Sequence, residues 1–85
     1  MYQINFKRKA GKELLKLPSQ AVNEISSSID ALAENPRPDG SKKLKGSNES
    51  LWRIRVGDYR VIYAIEDKIK IISVRRIAHR KDIYR

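Results

Sequence analysis

Eighty-five residues make one small domain, 1–85, with a modest core, and the absence of cysteine excludes a disulfide framework and thiolate chemistry. Nineteen Lys and Arg against ten Asp and Glu give a net charge of +9 and a pI near 10.1. That balance makes nucleic acid the default partner, with an acidic protein or an anionic membrane surface next.

No apolar run approaches a membrane span or a signal-peptide core, and the expectation is a complete, soluble, cytoplasmic chain. Tyr2, Ile4 and Phe6 alternate with polar residues and predict a short first strand. Ala10, Leu14 and Leu17 stand at helical spacing, which predicts a helix over about Arg8–Leu17, stopped by Pro18. Ser19 can cap a second helix, whose apolar face is Val22, Ile25, Ile29, Leu32 and Ala33. Pro36 and Pro38 end it. The stretch 35–50, NPRPDGSKKLKGSNES, reads as irregular, with Lys42, Lys43 and Lys45 solvated and Leu44 tucked inward.

Residues 51–63, LWRIRVGDYRVIY, predict a β-hairpin. A Gly57-Asp58 loop suits a type II′ turn and pairs Val56 with Tyr59 and Arg55 with Arg60. Trp52, Ile54, Val56, Tyr59, Val61 and Tyr63 then form one apolar face, with Arg53, Arg55 and Arg60 together on the other. Clustered guanidinium groups suit an anion such as phosphate, although three ordinary surface arginines fit the pattern equally well. Glu66-Asp67 is a second turn, 68–76 a last strand with an apolar centre, and 77–85 a tail. The expected architecture is α+β in the order β-α-α-β-β-β: a mainly antiparallel, four-stranded sheet with a helical hairpin on one face. The charge is uneven: residues 51–85 hold ten Lys/Arg and four Asp/Glu, whereas 1–50 hold nine and six.

One histidine, no cysteine and scattered carboxylates point away from a metal, and no phosphate loop or nucleophile elbow is present. What remains is cations, one imidazole and phenols. That set can cut RNA without metal or cofactor, because the 2′-OH is a built-in nucleophile. Arginines would stabilise the crowded phosphate and His79 would move a proton near neutral pH. On composition alone His79, flanked by Arg76, Arg80 and Lys81, reads better as an ordinary surface residue. Tyr84 can stack on a base, pass a proton, or simply anchor the chain end.

The runs KLKG at Lys43–Gly46, LWRIRVGDYRVIY at Leu51–Tyr63 and HRKDIY at His79–Tyr84, with the element order, resemble the RelE/ParE superfamily of toxins. The resemblance implies a RelE-like fold and a toxin encoded beside an antitoxin that wraps around it. For RelE-type members it also implies metal-independent mRNA cleavage by 2′-OH attack in the ribosomal A site. Carried over by position, Arg55 and Arg60 would stabilise transition-state charge and Arg53 would position the phosphate. His79 would do acid/base work, and Tyr84 would stack or relay a proton. Arginine stays protonated where relatives often have lysine, which makes a cationic general base a poor choice here. Lys43, Lys45, Arg76, Arg80 and Lys81 would attract RNA in a salt-dependent way. Two alternatives remain: a ParE-like toxin that poisons DNA gyrase, and a non-catalytic module that binds RNA or protein.

Overall fold

The hairpin forms as its residues dictate and the sheet extends from both of its edges. In the computed structural model, which describes residues 1–46 and 48–84, the elements are β1 (Gln3–Phe6), α1 (Arg8–Leu15), α2 (Ser19–Leu32), β2 (Lys42–Lys43), β3 (Leu51–Val56), β4 (Tyr59–Glu66) and β5 (Ile71–His79). They build a five-stranded sheet in the order β1-β5-β4-β3-β2, in which β1 runs parallel to β5 and the other pairs are antiparallel. The α+β class matches the expectation; the strand count does not. The extra strand is the two-residue β2, inside the stretch expected to be irregular, where Lys42 pairs with Arg53 and Lys43 with Trp52. Two residues are too short to show periodicity.

Both helices pack on the same sheet face. Ala10 from α1 and Ile25, Ile29 and Leu32 from α2 share one core with Ile54, Val56, Val61, Tyr63, Ile65, Ile72, Val74 and Ile77. Burying such side chains stabilises by about 1.5–3 kcal/mol each, so this layer holds the domain together. α1 ends before Leu17, because Lys16 and Leu17 donate to Glu13 and Leu14 and tighten the last turn. Ser19 is not the cap of α2: extended Pro18 (φ −58°, ψ 151°) holds that position and its carbonyl accepts the Val22 N–H.

β5 begins at Ile71, three residues later than expected, and runs to His79. The preceding turn needs Lys70 at φ +57°. Between Ile62 and Tyr63 the β4–β5 register slips: Ile62 faces Arg76 while Tyr63 faces Val74, so Arg75 is an extra residue. This bulge lets Val74 and Ile77, three apart, both bury against the helices. Among the described residues, no helix is long and apolar enough to cross a membrane.

Candidate functional site

The hairpin tip assembles the arginines. Gly57 takes φ +59° while Asp58 stays at negative φ, as a type II′ turn requires. The pairs are Val56 with Tyr59, Arg55 with Arg60, Ile54 with Val61 and Trp52 with Tyr63, as the sequence predicts. Paired residues share a face, so two rows lie away from the helices: Arg55, Arg60 and Ala78, then Lys42, Arg53, Ile62 and Arg76. Like charges directly opposite are unfavourable. Here they lower the hold of the Arg60 guanidinium on its proton: partial burial acts first, then Arg55, Arg53 and Arg80, while Tyr84 acts in the opposite sense. All four are thus near enough to Arg60 to act on it electrostatically. Arg60 Nη1 donates to the carbonyls of Gly57 (3.1 Å) and Tyr59 (2.9 Å). Among the described residues Arg53, Arg55 and Arg60 form no ion pair, and buried Arg53 Nε has no hydrogen-bond partner.

The C-terminal tail is tied to the same tip. The Arg80 N–H donates to Asp58 O at 2.8 Å, and Arg80 Nε lies 3.8 Å from the Asp58 carboxylate. Asp82 and Ile83 both donate to the His79 carbonyl, and Ile83 is buried, which leaves Tyr84 exposed beyond that turn.

The tail does not bring His79 to the arginines. Its strand partner is Tyr59, on the helix-facing side, and the two rings meet edge to face at 5.8 Å. Ala78 is the residue beside Arg60. His79 Nδ1 accepts the Lys81 backbone N–H at 3.2 Å, which places the proton of the neutral ring on Nε2. The alternation of β5 runs on to His79, three residues past the expected end of the strand at Arg76.

Arg76, expected to attract RNA, is occupied instead. Its Nε and Nη2 donate to the Glu13 carboxylate at 3.0 and 2.9 Å, and Nη1 donates to Ile83 O at 3.3 Å. Glu13 also accepts the Ile77 N–H at 2.9 Å. Lys43 pairs with Trp52 and so belongs to the other face, whereas Lys42 joins the arginine rows through Arg53. Lys42, expected only as a solvated side chain, gets its orientation from the short β2 pairing, which has no local period. Lys45 and Lys81 are exposed, outside the strands.

A second network, also missed, pins the segment after α2. Arg37 pairs bidentately with Asp67 at 2.8 and 3.3 Å, and its guanidinium sits 5.2 Å from the Trp52 ring centroid. Tyr2 donates to the same carboxylate at 2.6 Å. These donors, Arg37 first, hold the Asp67 carboxyl down at about 2. Tyr63 donates to Pro36 O at 2.7 Å, and burial pushes its phenol up to about 12.

The molecule is thus a small, basic α+β domain whose hairpin arginines Arg53, Arg55 and Arg60 form no ion pair among the described residues. The model of the ParE toxin of type II toxin-antitoxin systems, parDE, matches residues 4–84. The toxin RelE of Mycobacterium tuberculosis is 34% identical over 85 residues, covering 99% of this chain and 87% of that protein. The archaeal RelE–RelB complex from Pyrococcus horikoshii superposes with a TM-score of 0.84 at 30% identity, covering 95% of this chain and 97% of that one. The isolated E. coli RelE toxin gives a TM-score of 0.80 at 25% identity, over 93% of this chain and 84% of that one. The chain belongs to the RelE/ParE family, as a RelE-like toxin of a type II toxin-antitoxin system.

Proposed function

We propose that this toxin is an endoribonuclease that cuts mRNA on the ribosome. The observation that carries this is the row of Arg53, Arg55 and Arg60: guanidinium groups on one face, with no carboxylate partner among the described residues and the tail beside them. Such a row accepts a backbone phosphate and stabilises the charge that builds as the 2′-oxygen attacks phosphorus. The P–O5′ bond breaks, leaving a 2′,3′-cyclic phosphate and a 5′-OH. The proton lost by the 2′-OH and the one gained by O5′ are exchanged with the Tyr84 phenol and solvent. Arg55 and Arg60 carry the charge stabilisation, and Arg53 positions the phosphate. His79 acts at one remove. Its ring contact with Tyr59 and its bond from Lys81 hold the turn that presents Tyr84. Lys42, Lys45, Arg80 and Lys81 add salt-dependent attraction to RNA.

The partner that silences the toxin is an antitoxin of RelB type, the companion of the Pyrococcus horikoshii toxin. Its docking segment is acidic or amphipathic, to complement a surface of this charge. The match to the ParE toxin family keeps a second reading open, a ParE-type toxin, for which the expected target is DNA gyrase. A translation assay separates them. Codon-phased mRNA cuts that require ribosomes support the nuclease. Supercoiling inhibition with intact mRNA overturns it in favour of gyrase, and binding without either effect reduces the protein to a module.

A further inference from the structure

Between the arginines of β3 and helix α2 lies a cleft of about 490 Å³ whose far wall has no part in the phosphate chemistry. One wall is Arg53 and Arg55 of β3; the other is Ser28 of α2 and the turn that carries Asp39. It opens there because β2 covers β3 only at Trp52 and Arg53, leaving the outer edge of β3 beyond Arg53 without a neighbouring strand.

We propose that this cleft is a nucleobase subsite, taking the base of a nucleotide whose phosphate lies on Arg53 and Arg55. The proposal rests on the nuclease reading for its place in catalysis and stands on three observations of its own. Arg53 Nε is buried without an acceptor. A buried donor left unsatisfied is unfavourable, and a shift of the Arg53 side chain that brings it to a ligand oxygen or ring nitrogen relieves it. Opposite stands Asp39, an acceptor that forms no ion pair among the described residues. A cleft built for phosphate alone would not set a carboxylate against the anion. Donors on one wall and an acceptor on the other match a base, which carries carbonyl or ring-nitrogen acceptors beside N–H donors.

The third observation is rigidity. Ser41 N–H donates to Pro38 O at 2.9 Å and Gly40 takes φ +87°, so Asp39 sits at the second position of a type II turn. Just before that turn, Pro36 is held by Tyr63, and Arg37 is held by Asp67 and Trp52. An acceptor carried on a fixed backbone turn discriminates between bases better than one on a mobile loop, since the turn need not be ordered on binding.

The test needs neither ribosomes nor cleavage. The full chain, labelled with ¹⁵N, is titrated with each of the four ribonucleoside monophosphates and with ribose 5-phosphate. Mononucleotides bind with dissociation constants on the order of 1 mM and move the amides of Asp39, Gly40 and Arg53; ribose 5-phosphate moves these far less. Asp39→Asn converts one acceptor oxygen to a donor and changes the ranking of the four bases, in a spectrum whose dispersion reports that the fold is kept. Equal shifts with ribose 5-phosphate would make the cleft an anion site and overturn the proposal. So would silence at these amides, an unchanged ranking in Asp39→Asn, or occupation by an acidic antitoxin peptide with no response to bases. Binding by bases without mRNA cutting in translation would keep the subsite and sink the nuclease.

Discussion

Two sets of arginines lie on and beside this sheet and behave in opposite ways. Arg37, Arg75 and Arg76 each sit on a carboxylate: Asp67 at 2.8 Å, Glu49 at 2.7 Å and Glu13 at 2.9 Å. They join elements far apart in the chain, such as α1 to β5. Arg53, Arg55 and Arg60 crowd one another, and none has a carboxylate among the described residues. The paired set spends its charge inside the fold; the crowded set leaves its charge without a carboxylate among the described residues, as the proposed phosphate site requires. Crowding like charges is unfavourable for stability, so its retention on an otherwise well-satisfied sheet points to binding. Composition alone counts both sets as the same nineteen Lys and Arg.

The sharpest way to break this contrast is to remove one arginine of the crowded set. Arg60→Ala lowers single-turnover mRNA cutting about 10²–10³-fold, the scale of losing one preorganised charge-stabilising donor. It weakens ribosome binding far less and leaves the melting temperature near that of the parent protein. Equal losses in rate and binding would demote Arg60 to a docking residue. Next comes the tail. Tyr84→Phe slows cutting by roughly tenfold to a hundredfold, the lower range for proton transfer. His79→Ala slows it less and leaves the shape of the pH–rate profile unchanged. A profile that loses one limb in His79→Ala would return the imidazole to the chemistry.

For the paired set the readout is stability. Glu13→Ala strands Arg76 and the Ile77 N–H and lowers stability by about 2 kcal/mol. A domain of this size then melts roughly 10 °C lower, with faster hydrogen exchange at Ile83 and cutting reduced only through the loosened tail. A melting temperature unchanged in Glu13→Ala would contradict the division. The smallest effect is at Asp67. Its carboxyl is held at about 2, below its ordinary value near 3.8, so its stabilising contribution is present above that ordinary value and fades as pH falls toward 2. Asp67→Asn removes the effect: parent and variant differ in urea midpoint at pH 7 and converge near pH 2. Curves that stay parallel across that range would show that Arg37 finds no net support there.

The hairpin was legible because three signals agreed: alternation, a Gly-Asp turn and arginines confined to one parity. Its register followed residue for residue. The helices were legible from their apolar spacing, apart from the early end of α1 at Leu15 and the Pro18 cap of α2. What escaped were features without a local period. A two-residue strand has none, so Lys42 and Lys43 could not be given faces. The Arg75 bulge broke the alternation of β5, and ending that strand at Arg76 hid that His79 faces Tyr59 rather than Arg60. Pairings across the chain, Glu13 with Arg76 and Arg37 with Asp67, span 63 and 30 residues and leave no mark on either neighbourhood. For the same reason Arg76, adjacent to Arg75 and close to Arg80, looked like part of a basic patch.

The parallel strand β1 covers β5 only from Ile71 to Val74. Beyond it, Glu13 takes the Ile77 N–H that a longer neighbour would have bonded. A carboxylate on a helix therefore occupies one backbone donor at a border where an unpaired row of N–H groups is a template for another strand.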